Sequence, residues 1–396
     1  MSVVGSAVTQ LALPTLAVLQ LHAGPFQVGL LAACQRFAFP VLALPVGVLA
    51  DRVSRRRLMI GADLARCLLL GAIPLISAVS GLQLWHLYAI AALTGGFTVV
   101  FDVAYLAYLP SLVGRGHLAD ANQRLEFTFS TGDVAGPGIG GLLVQLAGAA
   151  RALALDALSF LFSALMLLLI GRREAPAPRR ELARLGVRQM GREIAEGLGQ
   201  VMGDPMLRSL VLGMGGFIFW AHAVDAVFVV FAYRTLHLTP GLYGVVLTAT
   251  GIGSIGGALV VGRVRRLLGV GPLIVASGIV ASATLAAIPL ALLGAPLAVL
   301  MLLGAGRGVA GTINNVTQVT VRMLATPDRL HARMNAVFRT VYWGAWPLGE
   351  LCGGALGSTL GVTPTIVLGG ALGLVAMGAV AFTPVGRLQA FPQRAE

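Results

Sequence analysis

Lysine is absent from this 396-residue chain, and charge of any kind is scarce: only 11% of residues are charged, where a water-soluble domain of this size carries roughly 25%. That shortage excludes a soluble globule, because too few polar side chains exist to cover its surface. Cysteine is almost absent as well. Cys34, Cys67 and Cys352 all lie in apolar runs, and their odd number and spacing fit neither a disulfide framework nor a metal site. No catalytic constellation is present, so the chain is not expected to be an enzyme. The glycine-rich run Gly251-Ile252-Gly253-Ser254-Ile255-Gly256-Gly257 has no preceding strand and no Gly-Lys-Ser/Thr, which leaves helix packing rather than nucleotide binding as its purpose. No cofactor and no metal are expected. Short alternating segments of the kind that build an outer-membrane barrel are also missing.

What fills the chain instead is hydrophobic residues, 57% of the total, in runs of about 20 residues, the length that crosses a bilayer core as a helix. The runs fall at 1–21, 27–50, 58–79, 83–110, 122–148 and 150–171, then 207–233, 240–262, 271–293, 296–322, 333–358 and 362–384. The reading is an all-α membrane protein of about twelve transmembrane helices. The organisation expected is a six-helix bundle over 1–171, a cytoplasmic linker over 172–206, a second six-helix bundle over 207–384 and a tail over 385–396. Within the linker, Val187, Met190, Ile194, Leu198 and Val201 recur near helical spacing among seven arginines, which predicts an amphipathic helix. The first run starts at Met1 with no basic residue before it and contains Pro14. It reads as a first span rather than a cleaved signal, with a start that lacks several upstream residues.

The formal net charge of +12 does not point to nucleic acid, because the arginines sit in short segments between spans, beside anionic headgroups. Arg52, Arg55, Arg56, Arg57, Arg115, the arginines from Arg172 to Arg192, Arg263, Arg265, Arg266, Arg329 and Arg333 fall on one side. Only Arg151 and Arg234 fall on the other. Positive charge stays inside, so both termini are expected in the cytoplasm of a bacterial inner membrane.

The two halves repeat each other. Pro25 to Leu31 matches Pro240 to Val246, Arg52 to Arg55 matches Arg263 to Arg266, Leu112 to Leu118 matches Leu324 to Leu330, and Gly140-Gly141 matches Gly353-Gly354. Duplicated bundles of this kind enclose a binding site near the bilayer midplane.

Three motifs carry a resemblance to a known family. Gly47, Asp51, Arg52, Arg55 and Arg56 lie between the second and third spans, where the run from Gly47 to Arg57 follows a Gly-x-x-x-Asp-Arg-x-x-x-Arg-Arg pattern that closes on Arg56-Arg57. Gly136, Pro137, Gly140 and Gly141 form a Gly-Pro-x-x-Gly-Gly run in the fifth. Phe101-Asp102, Leu155-Asp156 and Ala62-Asp63-Leu64-Ala65-Arg66 complete the set. Together they resemble the major facilitator superfamily, in its macrolide-efflux and enterobactin-exporter branch. The resemblance implies two pseudo-symmetric six-helix bundles, a conformational switch in the Gly47 to Arg56 loop and an exporter-type motif at Gly136 to Gly141. It implies proton-coupled export of drug-like or siderophore-like compounds by alternating access. An importer or uniporter of the same fold, a membrane sensor and a lipid-modifying enzyme are the alternatives. The helix-4 arginine of many proton-coupled exporters is missing: that stretch reads Leu93-Thr94-Gly95-Gly96, while Arg307 stands near the equivalent place in the tenth span.

A charge at the centre of a membrane helix costs roughly 2.5–3.5 kcal/mol, so each one needs a reason. Arg36, Asp133, Arg307 and Glu350 fall near mid-depth, with Asp102 and Asp225 to either side, and these six are the proton-coupling or cavity candidates. Asp133 or Glu350 is a candidate to carry the proton, and static pairing such as Arg36 with Asp133 or Arg307 with Glu350 is the alternative. Asp63 and Asp156 are placed nearer helix ends. Asn314, Asn315 and Gln318 form a polar stripe that either lines a substrate cavity or bonds to a neighbouring helix. Phe217, Trp220, Trp343 and Trp346 are candidates for an aromatic wall, or for packing against lipid. His222 and His237 read as packing residues. The expected partners are a small-molecule substrate, protons and the lipid bilayer, with no nucleic acid, and the chain is expected to be a monomer.

Overall fold

A computed structural model describes residues 2–79, 81–113, 117–170, 197–199, 201–327 and 330–392. Among the described residues the regular structure is helical, with no strand. The predicted amphipathic linker helix lies largely outside them, as do Arg115 and Arg329.

In chain order the helices are α1 (Ser2–Leu19), α2 (Pro25–Arg36), α3 (Ala38–Arg52), α4 (Arg55–Val79), α5 (Leu84–Val113), α6 (Leu118–Ala147), α7 (Ala149–Leu169), α8 (Pro205–Val230), α9 (Pro240–Leu268), α10 (Val270–Ala286), α11 (Pro296–Leu324), α12 (His331–Thr359) and α13 (Val362–Val380). Eight stretches are long and apolar enough to cross a membrane, and α1 and α10 are shorter apolar helices. The remaining two, α6 at 30 residues and α12 at 29, are long enough but more polar. Counting α2 and α3 as one broken crossing gives the twelve spans among the described residues.

Prolines explain where the observed helices depart from the predicted runs. The second span breaks at Phe37 because Pro40 has no N–H to give the Arg36 carbonyl and its ring crowds that carbonyl. In the ninth span, α10 ends at Ala286 and the chain continues as a 3₁₀ turn over Ile288–Leu293, because Pro289 does the same to Leu285. Asp204 starts α8 by accepting from the backbone N–H groups of Met206 (2.7 Å) and Leu207 (3.1 Å), with Pro205 in the first helical position.

The chain divides into two compact units, residues 1–183 with 232–248, and residues 184–231 with 249–396. In the first, α1 packs on α6 and α7, α4 on α5 and α7, and the broken α2/α3 on α5. In the second, α8 packs on α12 and α13, α10 on α11 and α13, and α9 on α11 through Gly253 against Ala305 and Gly257 against Val309. The neighbour pattern is the same in both units, as the internal repeat requires.

Lipid is as apolar as leucine, so nothing squeezes membrane helices together by hydrophobicity. Close approach depends on small residues instead. Gly132, Gly136 and Gly140 recur every four residues along α6, where a Cβ would collide with Val3, Ala7 and Val8 of α1. In the second unit a Cβ at Gly349 or Gly353 of α12 would meet the Phe219 or Ala223 carbonyl of α8 at 2.2 and 2.0 Å. Gly136 and Gly349, like Gly140 and Gly353, are 213 positions apart. Each half therefore uses the same groove for the same crossing.

Candidate functional site

The polar groups of the second unit converge from α8, α11 and α12. The Arg307 guanidinium donates two hydrogen bonds to Asp225, at 2.7 and 2.8 Å, a bidentate fork. His222, one turn before Asp225, puts Nδ1 3.7 Å from Asp225 and 3.9 Å from Glu350. The His222 ring lies 4.8 Å from the Trp346 ring, which stacks on Trp343 at 5.7 Å and 6°. The Arg339 guanidinium sits 5.3 Å from the Trp343 ring centre. Glu350 is buried, whereas the side chains of Asp225 and Arg307 are 31% and 30% exposed.

Depth gives that exposure its meaning. Asp225 lies 10 residues before Thr235, Arg307 11 after Pro296 and Glu350 9 before Thr359, counted on the sequence. At 1.5 Å per residue these are levels about 14–17 Å from the helix ends, near the middle of a bilayer core. A charge pair at that depth is costly to expose to hydrocarbon.

The first unit holds a different cluster. Arg66 of α4 is 3% exposed and pairs with Asp63, which is fully buried. Its guanidinium lies between two rings, 4.2 Å from Phe160 and 4.6 Å from Phe101. Asp102 of α5 and Asp156 of α7 are within electrostatic reach of the same guanidinium. Asp156, 2% exposed, accepts from Thr9 of α1 and from Ser159 at 2.8 Å. Asp102 is only half-buried. Asp63 and Asp156 thus sit deep in the packing, not at snorkelling positions near helix ends, because α4 extends eight residues before Asp63 and α7 seven before Asp156.

Other sequence candidates are placed as follows. Asp133 is exposed on α6 and joins neither cluster, and Arg36 is half-buried at the end of α2. Asn314 is 2% exposed and donates to the Ile274 carbonyl (2.7 Å) and to Ser277 (3.2 Å), both on α10. Gln318 is 1% exposed and lies 3.5 Å from Asn315 and from the Tyr342 hydroxyl. So placed, Asn314 and Gln318 bond helix to helix and do not wall a wet cavity; Asn315 alone of the stripe is exposed. Phe217 packs onto the hydrophobic core of its unit, and Trp220 meets Phe219 edge-on at 5.0 Å. Trp343 and Trp346 are the aromatic pair beside the charges.

In the Gly47 to Arg56 loop, Arg55 donates to the Ala107 carbonyl (2.8 Å), and Arg56 to the Leu167 and Leu168 carbonyls (2.8 and 2.7 Å). Arg56 thereby satisfies carbonyls left over in the last turn of α7. Arg52 is exposed, and the Asp51 side chain lies outside the described residues. A Cβ at Gly47 would meet nothing within 4 Å. In the Gly136 to Gly141 motif, Gly141 faces the Pro240 carbonyl and Gly244, and Gln145 accepts from Gly241 N and Thr239, both at 3.0 Å.

Sequence reasoning passed over Arg66 as a central group and read His222 as packing. Both had a signal: each lies three residues from an aspartate, on the same helix face, within a span that tolerates few charges.

Residues 1–394 match the family model described as transmembrane secretion effector. Among curated proteins, the multidrug efflux pump Tap of Mycolicibacterium fortuitum is 28% identical over 95% of this chain and 91% of its own length. The enterobactin exporter EntS of Salmonella typhimurium is 26% identical over 99% and 91%. Among solved structures, a bacterial homolog of the human lysosomal transporter Spinster superposes with a TM-score of 0.73 at 14% identity, covering 98% of this chain and 95% of that one. The nucleoside transporter NupG superposes at 0.69 and 11% identity, covering 97% and 99%. At such low identity the structural matches establish the fold alone.

Proposed function

The chain belongs to the transmembrane secretion effector family of the major facilitator superfamily, a family of membrane transporters, and from that premise we propose that it exports amphipathic small molecules across the bacterial inner membrane by proton-coupled alternating access. The observation that carries this reading is the second-unit site: a bidentate charge pair, one-third exposed at mid-depth, beside a buried carboxyl, an imidazole and two stacked tryptophans. The tryptophan faces offer a flat apolar surface to a ring system. The fork and His222 beside it can exchange partners with a polar substituent. A rigid hydrophobe would use only the first and a sugar only the second, so the site suits a molecule with both faces.

The direction of transport is supported by the Gly136 to Gly141 run and by the functions of the two curated relatives, an efflux pump and an exporter. The arginine asymmetry supports cytoplasmic termini, with 172–206 as a cytoplasmic linker between bundles.

Everted membrane vesicles test the reading. Respiring vesicles containing the protein are expected to accumulate ethidium or erythromycin above vesicles lacking it, and collapsing the proton gradient is expected to release the dye. Uptake that runs equally without a gradient would mark a uniporter. Accumulation by intact cells in place of everted vesicles would mark an importer.

A further inference from the structure

The internal repeat allows each charged position to be compared with its twin. Arg52 matches Arg263 at an offset of 211, and Leu112 matches Leu324 at 212. These offsets carry Asp63 to Ile274, Arg66 to Ser277 and Asp102 to Asn314. The structure agrees with the alignment. Asn314 of α11 bonds across to Ile274 and Ser277 of α10, and at the twin place Asp102 of α5 lies within electrostatic reach of Arg66 of α4. The same place is built twice, once from a neutral amide and hydroxyl and once from charges. Neutral residues therefore suffice to hold this helix pair together, and the first unit's charges need another purpose.

Their count is unbalanced. Asp63 pairs with the Arg66 guanidinium, Asp102 and Asp156 lie within electrostatic reach of it, and two of the three carboxyls are almost wholly sealed from water. Fully ionised, the cluster would hold two negative charges in excess inside the membrane, a state that burial strongly disfavours. The Arg66 Nε–H, also buried, has no acceptor among the described residues, so the guanidinium has bonding capacity to spare for a second carboxylate.

We propose that the Arg66 cluster is the proton-binding site of the transporter, with Asp102 as the group that takes up and releases the proton and Asp156 sharing it. Asp102 is the member open to its surroundings. The groups that face the site are Asp63 and Arg66 from α4, Asp102 and Tyr105 from α5, Asp156 and Ser159 from α7, and Thr9 from α1. A proton from water binds a carboxylate oxygen of Asp102, Arg66 turns towards the carboxylates that stay ionised, and release to water restores the first arrangement. The proton enters and leaves as such, and no covalent bond to carbon changes. This assignment rests on proton-coupled export and moves the coupling site from Asp133 and Glu350 to the first unit.

Infrared titration of the reconstituted protein tests it without a substrate. The C=O band of a protonated carboxyl is expected to appear on acidification and to be lost in Asp102→Asn, while Glu350→Gln keeps it. The triple variant Asp63→Ile, Arg66→Ser, Asp102→Asn copies the neutral twin. It is expected to insert and elute as a folded protein and to lack the band, which separates a lost proton site from a lost fold. In everted vesicles, the gradient-driven accumulation of ethidium is expected to fall to unity in Asp102→Asn, with downhill equilibration of ethidium retained. A band unaltered in Asp102→Asn and Asp156→Asn, or lost only in Glu350→Gln, overturns the assignment. Wild-type protein that shows the Asp102-dependent band but moves neither ethidium nor erythromycin refutes the export reading and leaves the proton site standing.

Discussion

Removing one member of the Asp225–Arg307 pair leaves the other's charge without its fork partner at mid-membrane, where charge is costly. Asp225→Ala and Arg307→Ala are therefore each expected to lower the unfolding temperature in detergent more than the double variant does. Equal or additive losses in the double variant would show that the pair is not the unit that matters. Arg56 acts more weakly. Its fork on the Leu167 and Leu168 carbonyls at a helix end is worth about 0.3–1 kcal/mol. Arg56→Ala is expected to reduce the unfolding temperature by a few degrees at most, and Arg57→Ala in the same loop, where the side chain is exposed, serves as the comparison. At this scale the sequence was partly legible. That charges occur within spans was plain from the order of residues. Which charges meet was not, because Arg66 and Asp156 are ninety residues apart and only the packing of α4 on α7 brings them into reach.

Helix contacts in this protein are set by where a side chain is missing. Gly353→Ala would push a Cβ to 2.0 Å from the Ala223 carbonyl, which is backbone and cannot swing aside. Overpacking of this kind costs about 1–3 kcal/mol or more, so the variant is expected to express poorly or to melt well below the parent. Gly344→Ala, on the same helix but with nothing within 4 Å, is expected to match the parent or exceed it slightly, since alanine favours helix. Similar melting of the two variants would contradict the groove between α8 and α12. The helices themselves were readable from hydrophobic length, and most ends fell within a few residues of the expected positions. The break at Phe37 and the early end at Ala286 were missed although Pro40 and Pro289 were in view, because run length says nothing of which carbonyl a proline will obstruct. Asn314 and Gln318 show the converse limit: a polar stripe on a helix does not say whether it meets water or another helix.

For the molecule as a whole, the proposed orientation rests on the arginine asymmetry and is open to direct measurement. With Cys34, Cys67 and Cys352 replaced by serine, a cysteine at Gly148 is expected to react with a membrane-impermeant maleimide in intact cells, and one at Arg57 only after permeabilisation. The reverse pattern would invert the topology. The duplication was legible because it left matching glycines, prolines and arginines at near-constant offsets. The division of labour between the copies was not, since an alignment pairs Arg66 with Ser277 and Arg307 with Gly95 and gives no reason for either mismatch. That mismatch limits how the gene can be rearranged. A tandem of two first halves would inherit two acid nests and no tryptophan shelf, while a tandem of two second halves would inherit the shelf twice and no nest. On the export reading proposed above, neither homotypic fusion is expected to pump, whereas the two dissimilar halves, expressed together as separate polypeptides, are expected to restore transport.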